Sequence, residues 1–451
     1  MTNNVLENYK TEAKTMLHIG TPIVIGQLGL IAMGVADTIQ VGMIPQKGAV
    51  SVAAAGVVNS LFFTIAVVGL IAIGVVAPMI SKAQAENNAL QIKTLYQSVL
   101  RVALILGTAV CLLTSGMTFF LDALKQDPEV VALAKPFSYL ISLSAIPMFL
   151  FIAIRQLSDG FEKTRLAMVV TVTALFLNVS INAIVINGWW IFPPMGLRGA
   201  GCATLIARIY MMSAMWFFVQ RDVQFAPFLK KTKEVKANLV SHILKIGLPA
   251  GMQGFFEVAV FAAAVIIIGW YGKYQQAAHL IAINMCSVTY MMVTGIATAG
   301  GIRVGHFFGL KDREGMRVAG KTALSISGSF MFLCAALFIV FPKWFVGLYT
   351  DDVNVVPFAI QLLIIGGFFQ ISDGLQTTAL GLLRGVSDVN VPTFITLFAY
   401  WVVGLPIGYL LGNYYGLQAN GVWIGLTAGL TASAALLNWR FYRLVRRMTF
   451  N

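Results

Sequence analysis

Long apolar runs separated by short polar stretches are the dominant pattern of the sequence. The run Leu244–Tyr271 is representative, because at a helical rise of about 1.5 Å per residue it extends roughly 40 Å, enough to cross a bilayer. Twelve such runs predict an all-α polytopic membrane protein. The predicted spans are residues 16–41, 51–80, 102–121, 136–154, 167–191, 199–220, 246–271, 277–302, 322–349, 355–383, 391–412 and 421–439.

The chain carries an internal repeat. The segment Leu17–Pro22, Leu-His-Ile-Gly-Thr-Pro, matches Leu244–Pro249, Leu-Lys-Ile-Gly-Leu-Pro, at an offset of 227 residues. The segment Gly196–Gly201 matches Gly416–Gly421 at an offset of 220, and two further matches keep the same order. These matches predict duplication of a six-span unit. Since six is even, both halves enter the membrane in the same direction, which predicts a parallel repeat with a central cavity between the halves.

The repeat predicts two lobes joined by a linker. The N-lobe is 1–220 and holds spans one to six, the linker is 221–241, and the C-lobe is 242–451 and holds spans seven to twelve. The linker is the most basic loop, and its lysines are expected beside anionic headgroups on the cytoplasmic side of the membrane. They are Lys230, Lys231, Lys233 and Lys236.

Composition and charge placement support a membrane protein. Hydrophobic residues make up 58% of the chain and charged residues 11%, whereas a soluble domain carries about 25% charged residues. The net charge of +13 is a topological signal. Of the 31 Lys and Arg residues, 24 fall in the termini and the loops on their side of the membrane and 6 in the loops on the other side. The positive-inside rule therefore places both termini in the cytoplasm, and the basic excess does not indicate nucleic-acid binding.

Three acids fall inside the predicted spans: Asp37, Glu257 and Asp373. A carboxylate in a membrane is costly unless it faces protein or water, so it predicts a functional site. Glu257 and Asp373 lie about 16 Å and 15 Å from the inner surface, at nearly one depth. Convergence of their faces would form a site for a small cation or a proton. The alternative for each acid alone is a helix-packing hydrogen bond or a position that lines water.

Polar residues of spans five and six are candidate partners of Asp37. Asn178 and Asn182 are four residues apart and so lie on one face of span five, and Thr204 is a candidate oxygen ligand in span six. Asp37 is predicted about 31 Å from the inner surface and Asn182 about 23 Å, so contact between them requires a tilt or a kink. The two amides alone are also typical of hydrogen bonds between helices.

Two more polar residues lie within spans. Gln27 in span one either lines the cavity or packs against another helix, and Arg208 in span six is expected to be paired or to extend toward the interface. An intramembrane enzyme would need a nucleophile–base pair or a His/Asp metal cluster inside the spans. The four histidines are scattered or close to span ends, and the four cysteines show no metal spacing, so the chain is expected not to be an enzyme.

Several motifs resemble the multidrug and toxic compound extrusion (MATE) transporters of the NorM branch. The resemblance covers essentially the whole chain. The motifs that carry it are Gly20-Thr-Pro22 and Gly247-Leu-Pro249, Met33-Gly-Val-Ala-Asp37-Thr, Phe255-Phe-Glu257-Val, Ile302-Arg-Val-Gly-His306, Gln370-Ile-Ser-Asp373 and Leu383-Arg-Gly.

The resemblance implies a V-shaped fold of two six-helix lobes. It also implies efflux of hydrophobic organic cations, such as fluoroquinolones and ethidium-like dyes, in exchange for Na⁺ or H⁺. In the family, the acids matching Glu257 and Asp373 form a C-lobe cation site, and the acid matching Asp37 forms an N-lobe site with polar span-five residues, here Asn178 and Asn182. No cofactor is expected besides the coupling ion. The implied form is a monomer in the inner membrane.

Two departures from the family pattern bear on the coupling ion. Na⁺-coupled NorM members have a Tyr four residues before the span-ten acid, where this chain has Phe369, also a cavity-lining candidate. The DinF-type branch has an Asp at the second polar position of span five, where this chain has Asn182, so a proton-only N-lobe mechanism is disfavoured. We therefore expect Na⁺ coupling, with H⁺ as the alternative. The runner-up function is a flippase for lipid-linked glycans from the same superfamily, although such proteins often carry basic cavity residues.

Overall fold

The computed structural model describes residues 2–45, 47–124, 127–186, 188, 193–229 and 237–450. The four lysines of the predicted linker lie outside these residues. The described part is helical and contains no strand. Its α-helices are α1 (Thr2–Gly42), α2 (Gly48–Gly74), α3 (Val76–Ala85), α4 (Ala89–Met117), α5 (Pro128–Leu143), α6 (Ala145–Gly160), α7 (Arg165–Val185), α8 (Gly196–Arg221), α9 (Ala226–Leu229), α10 (Ala237–Gly269), α11 (Lys273–Gly309), α12 (Arg313–Val340), α13 (Pro342–Gly347), α14 (Val356–Gly385), α15 (Asn390–Phe398), α16 (Leu405–Tyr409) and α17 (Gln418–Arg447).

The prediction of twelve spans is confirmed. In the described residues, 12 helical segments are long and apolar enough to cross a membrane. Three of these spans are interrupted helices. The second consists of α2 and α3, the fourth of α5 and α6, and the eleventh of α15 and α16 with the π-helical turns Ala399–Gly404 and Leu410–Tyr414. Pro406 has no N–H to donate, which contributes to the irregular hydrogen bonding of the eleventh span.

The chain divides into two compact units. One unit consists of Met1–Val24 and Met252–Asn451, and the other of Ile25–Gly251. Each boundary lies just after a proline within a helix, Pro22 in α1 and Pro249 in α10. The division into lobes at 1–220 and 242–451 stays a prediction. We refer below to the unit of Ile25–Gly251 as the N-unit and to the other as the C-unit.

Each unit has an apolar interior. In the N-unit, Tyr96, Phe149 and Phe151 are among the largest fully buried side chains. In the C-unit, Trp423 is completely buried and its indole N–H donates to His279 Nδ1 at 3.0 Å. This hydrogen bond satisfies a polar group that would be costly to bury unpaired.

Glycines bring the eleventh and twelfth spans into backbone contact. Gly404, Gly408 and Gly412 recur every fourth residue along the eleventh span, as Gly421, Gly425 and Gly429 do along α17. A Cβ on Gly429 would lie 2.7 Å from the Ala399 carbonyl oxygen, and a Cβ on Gly421 would lie 2.6 Å from the Leu411 carbonyl carbon. The two helices can therefore approach this closely only because these positions lack side chains.

A small cluster ties the end of α8 to the turn between α6 and α7. The Lys163 ammonium donates to the Asp222 carboxylate and lies 5.1 Å from the centre of the Phe225 ring. Phe161 packs edge-on against Phe225, with ring centres 5.4 Å apart. Partial burial acts to raise the pKa of Asp222, but hydrogen bonds from Lys163 and the Gln224 amide outweigh it and hold this pKa below its usual range.

Replacing Lys163 with Ala is expected to lower the free energy of unfolding by about 0.5–1 kcal/mol, because the pair is partly exposed to solvent. Since the folded carboxylate has a lower pKa than the unfolded one, the stabilisation is present above about pH 4 and is lost as the pH falls through the folded pKa. Thermal unfolding in detergent at several pH values measures both effects. Lys135→Ala is the control, because the Lys135–Asp122 pair is more exposed. An equal loss in the control would contradict the prediction.

Candidate functional site

The structure places two of the predicted carboxylates together in the C-unit. Glu257 lies on α10 and Asp373 on α14, and the two interact electrostatically. Asp373 is 3% exposed, whereas Glu257 is half-buried and can be reached from accessible space. We call this arrangement the C-site. Its like charges are close enough that a bound cation would relieve their repulsion.

A hydrogen-bonded tyrosine lies beside Glu257. The Gln376 side-chain amide donates to the Tyr400 hydroxyl oxygen at 2.5 Å. The Tyr400 hydroxyl also interacts with the Glu257 carboxyl group. Tyr400 lies in the π-helical turn Ala399–Gly404. Such turns occur frequently at functional sites, because they re-aim a side chain without ending the helix.

Unpaired amide oxygens are present within about one helical turn of both carboxylates. Gln253 Oε1, Gln370 Oε1 and Gln376 Oε1 are buried and have no hydrogen-bond partner among the described residues. Gln370 uses its N–H₂ group to donate to Thr289 Oγ1 at 2.5 Å, which leaves its oxygen unpaired. Carboxylate and amide oxygens suit hard cations. No group of three or more His, Cys, Asp or Glu arranged to hold a metal occurs in the described part, so a cation here would also need such neutral oxygens.

The C-site combines two carboxyl groups with one guanidinium. Arg384, at the end of α14, interacts electrostatically with Glu257 and with Tyr290 of α11. Our loop assignment placed this arginine outside the membrane, whereas the structure includes it in the helix beside the acids. Two carboxylates and one guanidinium leave one negative charge when all three are ionised. The site is therefore suited to one monovalent cation or one proton.

The structure also brings together the predicted polar residues of the N-unit. Asn182 Nδ2 donates to Asp37 Oδ1 at 2.5 Å, and Thr204 Oγ1 donates to Asp37 Oδ2 at 3.3 Å. Asn178 Oδ1 accepts from Asn182 Nδ2 at 3.4 Å. Gln40, one turn after Asp37, donates to the Val179 carbonyl and so fixes α1 against α7. Asp37 and Asn182 are therefore in contact despite the difference in depth predicted for them. We call this arrangement the N-site.

Arg208 accompanies the N-site. It follows Thr204 by one turn on α8, and its Nη1 donates to Ser144 Oγ at 2.6 Å. Its guanidinium carbon lies 4.9 Å from the centre of the Phe62 ring. It also interacts electrostatically with Asp37. The expectation that Arg208 is paired is met by these contacts, and with one acid and one base the N-site is neutral overall.

The two residues predicted to line the cavity, Gln27 and Phe369, are not among the contacts described for either site. Gln27 is half-buried on α1. Phe369, predicted to line the cavity, is 2% exposed, and its ring centre lies 5.6 Å from that of Trp423 and 6.0 Å from that of Phe261. In this structure Phe369 is therefore a residue of the C-unit core.

Sequence reasoning missed several residues that surround the carboxylates. Gln370 and Gln376 each lie three residues from Asp373 and share its side of the helix, which is a signal that helical periodicity could have revealed. Tyr400 carried no comparable signal, because the π-helical turn that positions it depends on the packing of the eleventh span.

Comparisons with known proteins assign the family. The MatE family model matches residues 22–184 and again 249–410. The chain is 32% identical to the probable multidrug resistance protein NorM of Halalkalibacterium halodurans, with 98% of this chain and 96% of that protein aligned. It is 30% identical to the multidrug resistance protein MdtK of Proteus mirabilis, with 98% of both chains aligned.

The fold is also similar to that of solved MATE transporter structures. A crystal structure of MATE in the bent conformation superposes with a TM-score of 0.87 at 19% identity, covering 98% of this chain and 97% of that one. The family model matches both halves of the chain, consistent with the repeat detected in the sequence. The chain therefore belongs to the MatE family, whose members are membrane transporters and not enzymes.

Proposed function

We propose that this protein is a secondary active multidrug efflux antiporter that exports hydrophobic organic cations in exchange for Na⁺, with H⁺ as the alternative coupling ion. The observation that carries the proposal is the pairing of two carboxyl groups, Glu257 and Asp373, within the C-site. The relatives named NorM and MdtK are multidrug resistance proteins, which supports drugs as the substrates.

Na⁺ is the preferred coupling ion because several oxygen atoms around the C-site could act as its ligands. Glu257 and Asp373 supply carboxyl oxygens, and the Tyr400 hydroxyl lies beside Glu257. The unpaired oxygens of Gln370 and Gln376 would add neutral ligands. A proton needs only one carboxylate oxygen, whereas this number of oxygens suits a cation that replaces its hydration shell.

The antiport mechanism follows from linked binding equilibria. The transporter alternates between a state open to the cytoplasm and a state open to the outside, and a coupling ion bound at the C-site changes their relative stability. A drug that binds the other state more tightly shifts the equilibrium back. Binding of the ion at Glu257 and Asp373, or at Asp37, would thus disfavour drug binding and drive release. Each ligand shifts the equilibrium only by its difference in affinity for the two states.

The proposal includes the setting of the protein. Twelve apolar spans make it a multi-pass membrane protein, and we place it in the inner membrane as a monomer with both termini in the cytoplasm, as the distribution of Lys and Arg indicates. A lipid-linked glycan flippase is not favoured, since the C-site is acidic and the named relatives are drug transporters.

Ethidium efflux from proteoliposomes with an imposed Na⁺ gradient or an imposed pH gradient tests the proposal. We expect efflux to follow the Na⁺ gradient and to stop when a Na⁺ ionophore collapses it, because the C-site binds the cation. Efflux that follows only the pH gradient would assign coupling to carboxylate protonation. No efflux under either gradient would overturn the antiporter proposal.

A further inference from the structure

An apolar groove lies in the C-unit between α11, α12 and the first part of α1, which belongs to this unit up to Val24. The cavity that it encloses has a volume of about 280 Å³. Its walls include Leu17 and Thr21 of α1, Ile296 of α11 and Phe330 of α12. An apolar cavity of about 150 Å³ is enough to bind benzene, so the groove has room for a longer hydrocarbon segment.

The groove can be reached from outside the protein. Leu17 is 50% exposed, and Phe330 is half-buried. On one side α1 packs directly on α11, because a Cβ at Gly295 would lie 3.0 Å from the Val24 backbone nitrogen and 3.3 Å from the Gly20 carbonyl oxygen. All three walls are parts of membrane spans, so a molecule in the groove lies within the bilayer.

Two lysines continue the face of α1 that lines the groove. The spacing Lys10, Lys14, Leu17 and Thr21 is four, three and four residues, which keeps all four positions on one face of the helix. Lys14 lies about 4.5 Å and Lys10 about 10 Å beyond Leu17 along the axis. Both lysines are exposed, and neither forms an ion pair with another described residue. Positive charge is therefore available at one end of the apolar groove.

The nearest acid does not neutralise these lysines. Glu12 is 5% exposed and accepts two hydrogen bonds of 2.7 Å from Arg303 of α11, one to each carboxylate oxygen. This bidentate pair fixes the first part of α1 to the C-unit and uses the charge of Glu12. The other acid of this part of α1, Glu7, lies about one turn farther from the groove than Lys10. The end of the groove therefore keeps a positive charge.

We propose that this groove binds an anionic phospholipid of the cytoplasmic leaflet, with an acyl chain between α1, α11 and α12 and the phosphate at Lys14 and Lys10. Apolar walls with a basic end match a molecule that has a hydrocarbon tail and an anionic head, and lysines near the membrane surface attract anionic lipids. A cationic drug would be repelled by the lysines, and a soluble anion would gain nothing from the walls. The inference goes beyond the efflux function and does not depend on it.

Quenching of tryptophan fluorescence by brominated lipids in proteoliposomes tests the proposal. Phe330→Trp places a reporter in the wall of the groove, and wild-type protein gives the contribution of the native tryptophans. We expect the added tryptophan to be quenched by brominated phosphatidylglycerol with an apparent affinity roughly tenfold or more above that of brominated phosphatidylcholine. Phe332→Trp is the matched control, because Phe332 lies two residues away on α12 and is 65% exposed. It should show no preference between the two lipids.

Second-site variants separate the charge from the groove. Adding Lys10→Gln and Lys14→Gln to Phe330→Trp should bring the two lipids to nearly equal affinity. Adding Thr21→Phe instead, which fills the groove and leaves the lysines in place, should weaken quenching by both lipids. An unchanged melting temperature, and unchanged quenching when the same changes are combined with Phe332→Trp, shows that the helices still pack.

Several results would overturn the proposal. One is equal affinity for the two lipids at Phe330→Trp, and another is a preference for phosphatidylglycerol that survives the loss of both lysines. Competition by soluble glycerol phosphate would identify a site for free anions. Displacement of the lipid by ethidium would identify a drug site. Because every readout is binding, a failure here leaves the proposed efflux function standing, and a failure of efflux leaves this inference standing.

Discussion

Glu257→Gln is expected to abolish ion-driven efflux while the protein still folds and inserts. The amide keeps the size of the side chain, but the C-site then holds a single acid, Asp373, with one base, Arg384. A charge-assisted interaction contributes about 1.5–3 kcal/mol, so cation affinity should fall by roughly tenfold to a hundredfold. Coupling requires that the ion bind the two states of the transporter with different affinity. Transport of dye against its concentration gradient should therefore disappear.

Dye efflux in proteoliposomes under the active gradient measures the effect, and drug resistance of expressing cells gives a second readout. Asp373→Asn should behave in the same way, because it removes the other carboxylate of the C-site. Glu129→Gln removes an exposed acid from the first turn of α5 and serves as the matched control. Full ion-driven efflux in Glu257→Gln would show that this carboxylate is not the coupling site.

Gly425→Ala is expected to destabilise the C-unit severely. The added Cβ would meet the backbone of Gly408 and lie 2.6 Å from the Gly404 carbonyl oxygen, and neither backbone can move without separating α16 from α17. Overpacking of a well-packed interface costs about 1–3 kcal/mol and sometimes more. The helix propensity gained by alanine, about 1 kcal/mol, does not offset a displaced helix pair.

Thermal unfolding and monodispersity of the purified protein in detergent measure this loss. Gly56→Ala in α2 is the matched control, because nothing lies within 4 Å of a Cβ built at this glycine. We expect its melting temperature to be unchanged or slightly raised. A Gly425→Ala protein as stable as Gly56→Ala would show that the eleventh and twelfth spans are not held at the distance described above.

The two departures from the family pattern have different surroundings in the structure. Phe369 is a core residue here, and the Asn182 amide adds no further negative charge to the N-site.

Hydropathy was sufficient for the twelve spans, and matched segments and motifs were sufficient for the internal repeat and the family. These properties depend on length, composition and order along the chain, all of which the sequence displays directly. The acids Asp37, Glu257 and Asp373 were identifiable for the same reason, since any carboxylate in an apolar run stands out.

The partners of those acids depended on tertiary packing. Depth estimates from straight helices separated Asp37 from Asn182, whereas the packed helices join them at 2.5 Å. Tyr400 lies beside Glu257 in a π-helical turn that no residue pattern predicted. Arg384 was assigned to a loop because it follows an apolar run, but it belongs to α14, the helix that carries Asp373. The physical reason is that rotation, tilt and local irregularity of a helix are set by its contacts with other helices. Sequence periodicity predicts which residues share a face, but the packing decides what each face meets.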